Sequence, residues 1–297
     1  MSQKHPRILL IGNSGQVGWE LLRTLSPLGE VVATGRNRDA GLAVDLTKPD
    51  SLVLAFNEVK PILVVNAAAY TAVDRAESEP DMAEAVNAVA PGVIGELAAK
   101  QGAAVIHYST DYIFDGALGR PYREDDATAP SGVYGRSKLR GEQALLDTTA
   151  EALIFRTAWV YGQYGQNFLK TMLKLFGERD ELSVVNDQVG SPTWSRMIAE
   201  TTAQVAAQLK MDPACFGDRR GIYHLTAAGQ TSWFGFAQAI LESAKSDCRL
   251  LPIPTADYPT PATRPARSVL DNTKLQETFG LALPDWQYSL QQCMAET

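Results

Sequence analysis

The sequence predicts an α/β fold, a doubly wound parallel sheet with a smaller, partly interleaved C-terminal lobe. Three observations carry this reading. Short apolar runs alternate with helically spaced stretches over the first 165 residues; a glycine-rich turn joins the first run to the first helix; and the alternation loosens beyond Gly165. With 297 residues, 45% hydrophobic and 21% charged, the chain is long enough for a large domain and a smaller partner. A formal charge of −7 excludes the basic face of a general nucleic-acid binder. No apolar run approaches the ~20 residues of a membrane span. Met1 to Pro6 leads into a strand-like segment without a signal-peptide core, so the cytoplasm is the expected location. Cys215, Cys248 and Cys293 are odd in number and widely spaced, and the histidines are His5, His107 and His224. Neither a disulfide framework nor a zinc or multi-histidine metal centre follows from them.

Arg7 to Ile11 reads as a buried parallel strand and Trp19 to Leu25 as the helix after it. Between them, Gly12, Gly15 and Gly18 recur at spacing three and three, around Gln16 and Val17. Such a turn brings backbone amides at a helix N-terminus up to a pyrophosphate, which makes the domain Rossmann-type. Val31 to Thr34 is the second strand. An acid often follows it, to hold the adenosine ribose, but here the chain has Gly35-Arg36-Asn37-Arg38. A guanidinium at Arg36 suits a 2′-phosphate, which favours NADPH and leaves NADH as the other candidate; the alternative is a pair of exposed loop arginines.

Ala43 to Leu46 reads as a third strand with Asp45 and Leu46 facing the adenine, unless Asp45 or Thr47 caps the next helix. Ile62 to Asn66 is a fourth. It runs into Ala67, Ala68 and Ala69, small enough for backbone to pass close to the cofactor or for strand and helix to pack tightly. Residues 71–100 are helical in composition, interrupted at Pro80, and their carboxylates read as solvated faces. Ala103 to Ser109 is the fifth strand and delivers Thr110 and Asp111 to its C-terminal end, where open α/β sheets hold ligands. His107 is expected to face packed protein.

Residues 133–149 read as a helix with Tyr134 and Lys138 at i and i+4 on one face. An ammonium beside a phenol favours the phenolate and lowers a pKa otherwise near about 10. With a hydroxyl from Thr110, that is an arrangement for protonating an alkoxide as a carbonyl is reduced. Ala152 to Gly162 is a sixth strand whose Trp159 and Tyr161 face either a ligand or the core, with Trp159 assigned to the ligand. Residues 167–178 and 232–243 read as helices, 182–187 as a strand, and 221–226 as a late strand returning to the main sheet. Residues 252–267 read as irregular, with Arg264 and Arg267 suited to a diphosphate or to the surface, and the last helices lie near 273–279 and 285–294. The predicted organisation is a dinucleotide-binding domain over 1–165, with 195–228 returning to it, and a substrate lobe from 166–194 and 229–297.

Taken together, the glycine turn, Val65 to Asp74, His107 to Phe114, Val133 to Lys138, Phe155 to Tyr161, Val185 to Thr193, Arg264 to Ser268 and Leu283 to Trp286 resemble the extended short-chain dehydrogenase/reductases over essentially the whole length. The resemblance is to members that reduce nucleotide-linked 4-keto deoxysugars. It implies dTDP-4-dehydro-L-rhamnose as partner and a monomer or homodimer as assembly. It also implies a nicotinamide cofactor over Gly15, Gln16 and Val17, with Asp45 and Leu46 near the adenine, Ala67, Ala68 and Ala69 along its middle, and Tyr108 bordering it. Tyr134 is implied as proton donor to the sugar's C4 oxygen, Lys138 as holder of the nicotinamide ribose, and Thr110, Asp111 and Trp159 as substrate contacts. Some relatives dimerise around magnesium held by glutamates. Glu20 matches one such position, but Arg196 falls where a second glutamate is expected, and a cation beside that arginine is unfavourable, which weighs against both metal and that dimer. Other readings are an epimerase or dehydratase of the same fold, although no Glu follows Thr110, or a non-catalytic regulatory subunit.

Overall fold

The computed structural model describes residues 6–35, 42–148 and 150–296. Arg36 therefore lies outside the described residues. The first half alternates strand and helix: β1 (Arg7–Ile11), α1 (Gln16–Leu25), β2 (Glu30–Gly35), β3 (Leu42–Ala43), α2 (Pro49–Val59) and β4 (Leu63–Asn66). Two short helices, α3 (Val73–Ala76) and α4 (Pro80–Glu84), lead through a π-helical turn into α5 (Ala90–Gln101). Then come β5 (Ala104–Thr110), α6 (Val133–Leu146) and β6 (Glu151–Thr157). The second half holds β7 (Val160–Tyr161), α7 (Phe168–Glu178), β8 (Glu181–Val185), β9 (Val189–Gly190), β10 (Thr193–Trp194) and α8 (Ser195–Gln208). It ends with β11 (Gly221–His224), β12 (Thr231–Ser232), α9 (Trp233–Ala244), β13 (Arg249–Ile253), α10 (Thr273–Phe279) and α11 (Trp286–Ala295).

Seven parallel strands form the main sheet in the order β11-β6-β5-β4-β1-β2-β3. The strand order reverses between β1 and β4, and a doubly wound sheet opens its ligand crevice outside the strand ends at that point. Buried strand residues explain the continuous apolar runs: Ile8, Leu10, Leu63, Val65, Ile106 and Phe155 pack on one face under α1 and α8, and Leu9, Val64, Val105 and Ile154 on the other under α2 and α5. Each fully buried aliphatic side chain contributes about 1.5–3 kcal/mol by removing apolar surface from water. A third core gathers Tyr161, Met172, Phe176, Trp194, Phe236, Ile240, Trp286 and Leu290, outside the main sheet. One charged pair is buried inside this frame, Glu142 of α6 with Arg156 of β6 at 2.7 Å.

Four local expectations are corrected. The third strand is only Leu42–Ala43, because Asp45 Oδ1 accepts from the Thr47 amide and hydroxyl and turns the chain. Neither Asp45 nor Thr47 caps α2; the N-cap is Lys48, with Pro49 following at the first helical position. The sixth strand stops at Thr157, since Trp159 takes a left-handed backbone (φ 47°) and β7 pairs with β10 instead of the main sheet. Pro252 lies in a strand, β13, opposite Val184 of β8; in a two-stranded sheet its missing N–H can face the unpaired edge.

Candidate active site

The glycine turn is tight because the backbones crowd. Gly12 has φ +92°, and a Cβ there would lie 2.6 Å from the Ala68 amide nitrogen. A Cβ on Gly18 would meet Gly12 O at 2.0 Å. Gly15 differs: the nearest atom to a Cβ there is 3.5 Å away, so its own fold does not demand glycine. No side chain caps α1 at Gly15, which leaves first-turn amides for an anion. Asn13 Oδ1 beside this turn is buried without a hydrogen-bond partner. The tight turn, its first-turn amides and the open approach at Gly15 fit a dinucleotide's phosphates, whereas the Asn13 oxygen, an acceptor, suits a hydroxyl. Gln16 is oriented by Asn167, whose Nδ2 donates to Gln16 Oε1 at 2.9 Å, and Val17 packs on the core below.

At the C-terminal end of β4, the Ala67 amide donates to Ile11 O at 2.9 Å and the Ala68 amide donates to Asn66 Oδ1 at 3.2 Å. Ala67, Ala68 and Ala69 are half-buried beside the glycine turn. Of the residues assigned to the adenine, Leu46 is buried in the core beneath α2, and Asp45 is largely taken up by Thr47, whose hydrogen bonds hold its carboxyl below the usual range.

Thr110 ends β5, buried, its hydroxyl accepting from the Tyr112 amide at 3.2 Å and donating to Asp111 Oδ1 at 3.1 Å. The Tyr134 phenol reaches Thr110 from the first turn of α6. Gly135 permits this closeness: a Cβ there would lie 2.2 Å from Tyr112 O. The expected lowering of the phenol pKa by Lys138 is not what the geometry produces. Burial pushes the Tyr134 phenol above its ordinary value, with the Thr110 hydrogen bond opposing and Asp111 adding to the rise. Lys138 directs its ammonium elsewhere, 2.6 Å from Tyr108 O and 3.3 Å from His107 Nε2, and burial brings its pKa down to about 8, with Glu142 opposing.

Tyr108 meets the site through that carbonyl. Its ring packs beside Phe155 and its hydroxyl pairs with Thr202 at 2.7 Å. Asp111 is 2% exposed with Oδ2 unpartnered, and burial raises its carboxyl to about 6 against hydrogen bonds from Ser268 and Thr110. Trp159 lies face to face with Trp233 of α9. Arg264 pairs with Asp74 at 2.7 Å and Arg267 with Gln230 at 2.6 Å, each keeping one buried nitrogen without a partner. The sequence reading missed Asn66, Ser268 and Trp233. Only Trp233, an aromatic opening a helix, offered a signal; the other two are ordinary polar residues until the chain folds.

The cation position does not fit a metal. Glu20, 1% exposed, lies 3.3 Å from Arg196 Nε and 3.5 Å from Arg23, and Arg196 also pairs with Glu296. The guanidinium, a cation without an oxygen donor, stands where a divalent ion would need oxygen ligands.

Residues 6–297 match the family profile described as the RmlD substrate binding domain. The chain belongs to this RmlD family. A dTDP-4-dehydrorhamnose reductase of Burkholderia thailandensis is 47% identical over 298 residues, covering 98% of each chain. The crystal structure of a dTDP-4-dehydrorhamnose reductase from Clostridium acetobutylicum superposes with TM-score 0.88 at 37% identity, covering 98% of this chain and 99% of that one. The Bacillus anthracis dTDP-4-dehydrorhamnose reductase, solved in complex with NADP, gives TM-score 0.88 at 33% identity with the same coverage. Among the described residues, no helix is long and apolar enough to cross a membrane.

Proposed function

We propose that this chain uses NADPH to reduce the C4 ketone of dTDP-4-dehydro-L-rhamnose, giving dTDP-L-rhamnose. The observation that carries the reading is the convergence of the Thr110 and Tyr134 hydroxyls, with Lys138 one turn along α6, at the C-terminal end of β5. Bound NADPH supplies the hydride. Gln16, Val17 and Gly18 offer the first-turn amides of α1 to its phosphates. Gly12 and Gly15, whose own amides donate to Thr34 O and Gly12 O, shape the turn and leave the approach open, and Ala67, Ala68 and Ala69 let the backbone lie close. Asp45 and Leu46 border the adenine side, Arg36 suits the 2′-phosphate, and Tyr108 joins through the carbonyl that holds Lys138.

Tyr134 gives its proton to the C4 oxygen as charge develops there. A phenol raised by burial keeps its proton at neutral pH and still yields it to an alkoxide, which is far more basic. Thr110 hydrogen-bonds the same oxygen and places it. Lys138 supplies positive charge beneath the reacting groups and holds the nicotinamide ribose. Asp111 and Trp159 contact the sugar nucleotide from the dinucleotide-binding domain, a lobe built from 166–194 and 229–297 completes its site, and the enzyme works in the cytoplasm.

The test is to mix purified protein with dTDP-4-dehydro-L-rhamnose and NADPH and follow loss of the reduced-nicotinamide absorbance. Tyr134→Phe should slow turnover by about 100-fold or more while NADPH affinity stays unchanged. Undiminished turnover refutes the proton-donor role. Arg36→Ala should weaken NADPH by about 10-fold and NADH little; equal effects on both dispose of the phosphate contact.

A further inference from the structure

His107 is the buried titratable group that the proposed reaction leaves without a task. It sits on β5, 1% exposed, between two polar neighbours. Its Nδ1 is 3.1 Å from Asn66 Nδ2, and its Nε2 is 3.3 Å from Lys138 Nζ. Asn66 and His107 face each other in register across β4 and β5. The Ala68 amide, by donating to Asn66 Oδ1, orients that side chain. A single polar chain therefore runs from the backbone beside the glycine turn, through the imidazole, to the amine under Tyr134.

We propose that His107 is a positioning residue for the reduction: its neutral imidazole holds the Lys138 amine in place and stabilises the ammonium form on which catalysis depends. The proposal rests on the reductase reading above. A neutral imidazole carries one donor and one acceptor nitrogen. Facing an ammonium, Nε2 accepts, the ring proton resides on Nδ1, and the Asn66 amide turns over to bring Oδ1 to that proton, giving up the Ala68 amide. Facing a free amine, Nε2 donates and Nδ1 accepts from Asn66. The tautomer thus follows the charge on Lys138. Burial and the neighbouring ammonium push the His107 pKa well below its ordinary value, so the ring stays neutral through the working range.

The other charged and titratable groups around Lys138 leave this work to the imidazole. Glu142, one turn along α6, is paired with Arg156 of β6. Tyr134 lies one turn back and bonds toward Thr110. On β5, the Tyr108 phenol points to Thr202, and Asn66 on β4 is uncharged. The acceptors in direct reach of Lys138 are then the Tyr108 carbonyl and His107 Nε2. Without the imidazole, a buried ammonium keeps one acceptor and loses its proton more readily.

The decisive comparison is His107→Phe with His107→Gln, since the glutamine amide restores an acceptor at similar reach. In the pH profile of kcat, the basic limb of the Phe variant should move toward acid by about one pH unit or more, and the Gln variant should recover most of that shift. A merely structural role lowers thermal stability without moving the limb. An unmoved limb in the Phe variant, or an equal displacement in both, overturns the proposal.

A second measurement needs no turnover and covers a Phe variant that fails to fold. In 15N-histidine NMR of the wild-type protein, the His107 ring shifts should exchange tautomer character between about pH 6 and about pH 10, as Lys138 titrates. Lys138→Met should abolish the exchange. Constant shifts in the wild type, or an exchange that survives Lys138→Met, overturn the coupling. If the exchange is present but no sugar nucleotide is reduced, the reductase reading fails while the His107–Lys138 coupling stands.

Discussion

The indole rings of Trp159 and Trp233 lie face to face, with 3.5 Å between centroids and 3° between planes. Trp159 reaches this stack from a left-handed backbone, φ 47°, a region that costs a bulky residue about 1–3 kcal/mol and persists only where surrounding structure enforces it. A Cβ on Gly190 would lie 2.4 Å from the Trp159 ring, so the close approach of β9 fixes the indole as well. Trp233→Ala should lower stability on the order of 2 kcal/mol through lost stacking and burial. The near-ultraviolet circular dichroism from the paired indoles should vanish in either single variant. Trp159→Ala should also raise KM for the sugar nucleotide by about 10-fold with little change for NADPH; an unchanged sugar-nucleotide KM removes Trp159 from the substrate contacts.

Asp111 predicts a pH dependence of stability. Its carboxyl is raised from 3.8 to about 6 by burial, so the folded state binds the proton more tightly than the unfolded chain does. The contribution is fully present below about pH 4 and is lost as pH rises through about 6. Spread over that window, the loss is on the order of 3 kcal/mol. Urea unfolding at a series of pH values should show Asp111→Asn flatter than wild type between about pH 4 and about pH 7. Parallel curves would mean that the carboxylate is solvated.

Arg156 and Glu142 are 3% and 1% exposed at their side chains, joined by two hydrogen bonds of 2.9 and 2.7 Å. Removing one partner leaves a buried charge, so Arg156→Met should cost about 3–5 kcal/mol by urea denaturation. Adding Glu142→Met should recover most of it, because the uncompensated carboxylate goes too. A double variant no more stable than the single one would place the cost in packing.

Around Glu20, the guanidinium of Arg196 does what a cation would do. Treatment with a chelator, followed by added magnesium, should leave the melting temperature, the elution volume and the turnover unchanged. A melting temperature that rises with magnesium would show that carboxylates outside the arginine's reach hold a metal. Glu20→Gln should destabilise by about 1–3 kcal/mol, since Arg196 loses a buried, charge-assisted acceptor.

Much of this architecture is written in local pattern. Runs such as Leu63–Val65 and Ala104–Ile106 are apolar throughout because parallel strands are covered on both faces, and the strand that the second run opens carries Thr110 at its ligand-bearing end. Asp45 and Leu46 were harder to read. A hydrogen bond from Thr47 two residues away turns the first, and the core under α2 claims the second, so the strand expected there is cut short. The break at Trp159 was equally hidden, since β-branched and aromatic residues on both sides suit a continuous strand.

By itself, the sequence determined the order of strands and helices as far as Thr157, the glycine turn and the helical spacing of Tyr134 and Lys138. These depend on neighbours a few residues apart, where periodicity and backbone sterics dominate. Tertiary structure alone decided the electrostatics: the Tyr134 phenol is raised instead of lowered, and Lys138 turns toward Tyr108 and His107. Desolvation sums over groups that several strands bring together, and a charge's effect depends on where its hydrogen bonds point. Neither quantity exists along the chain before it folds.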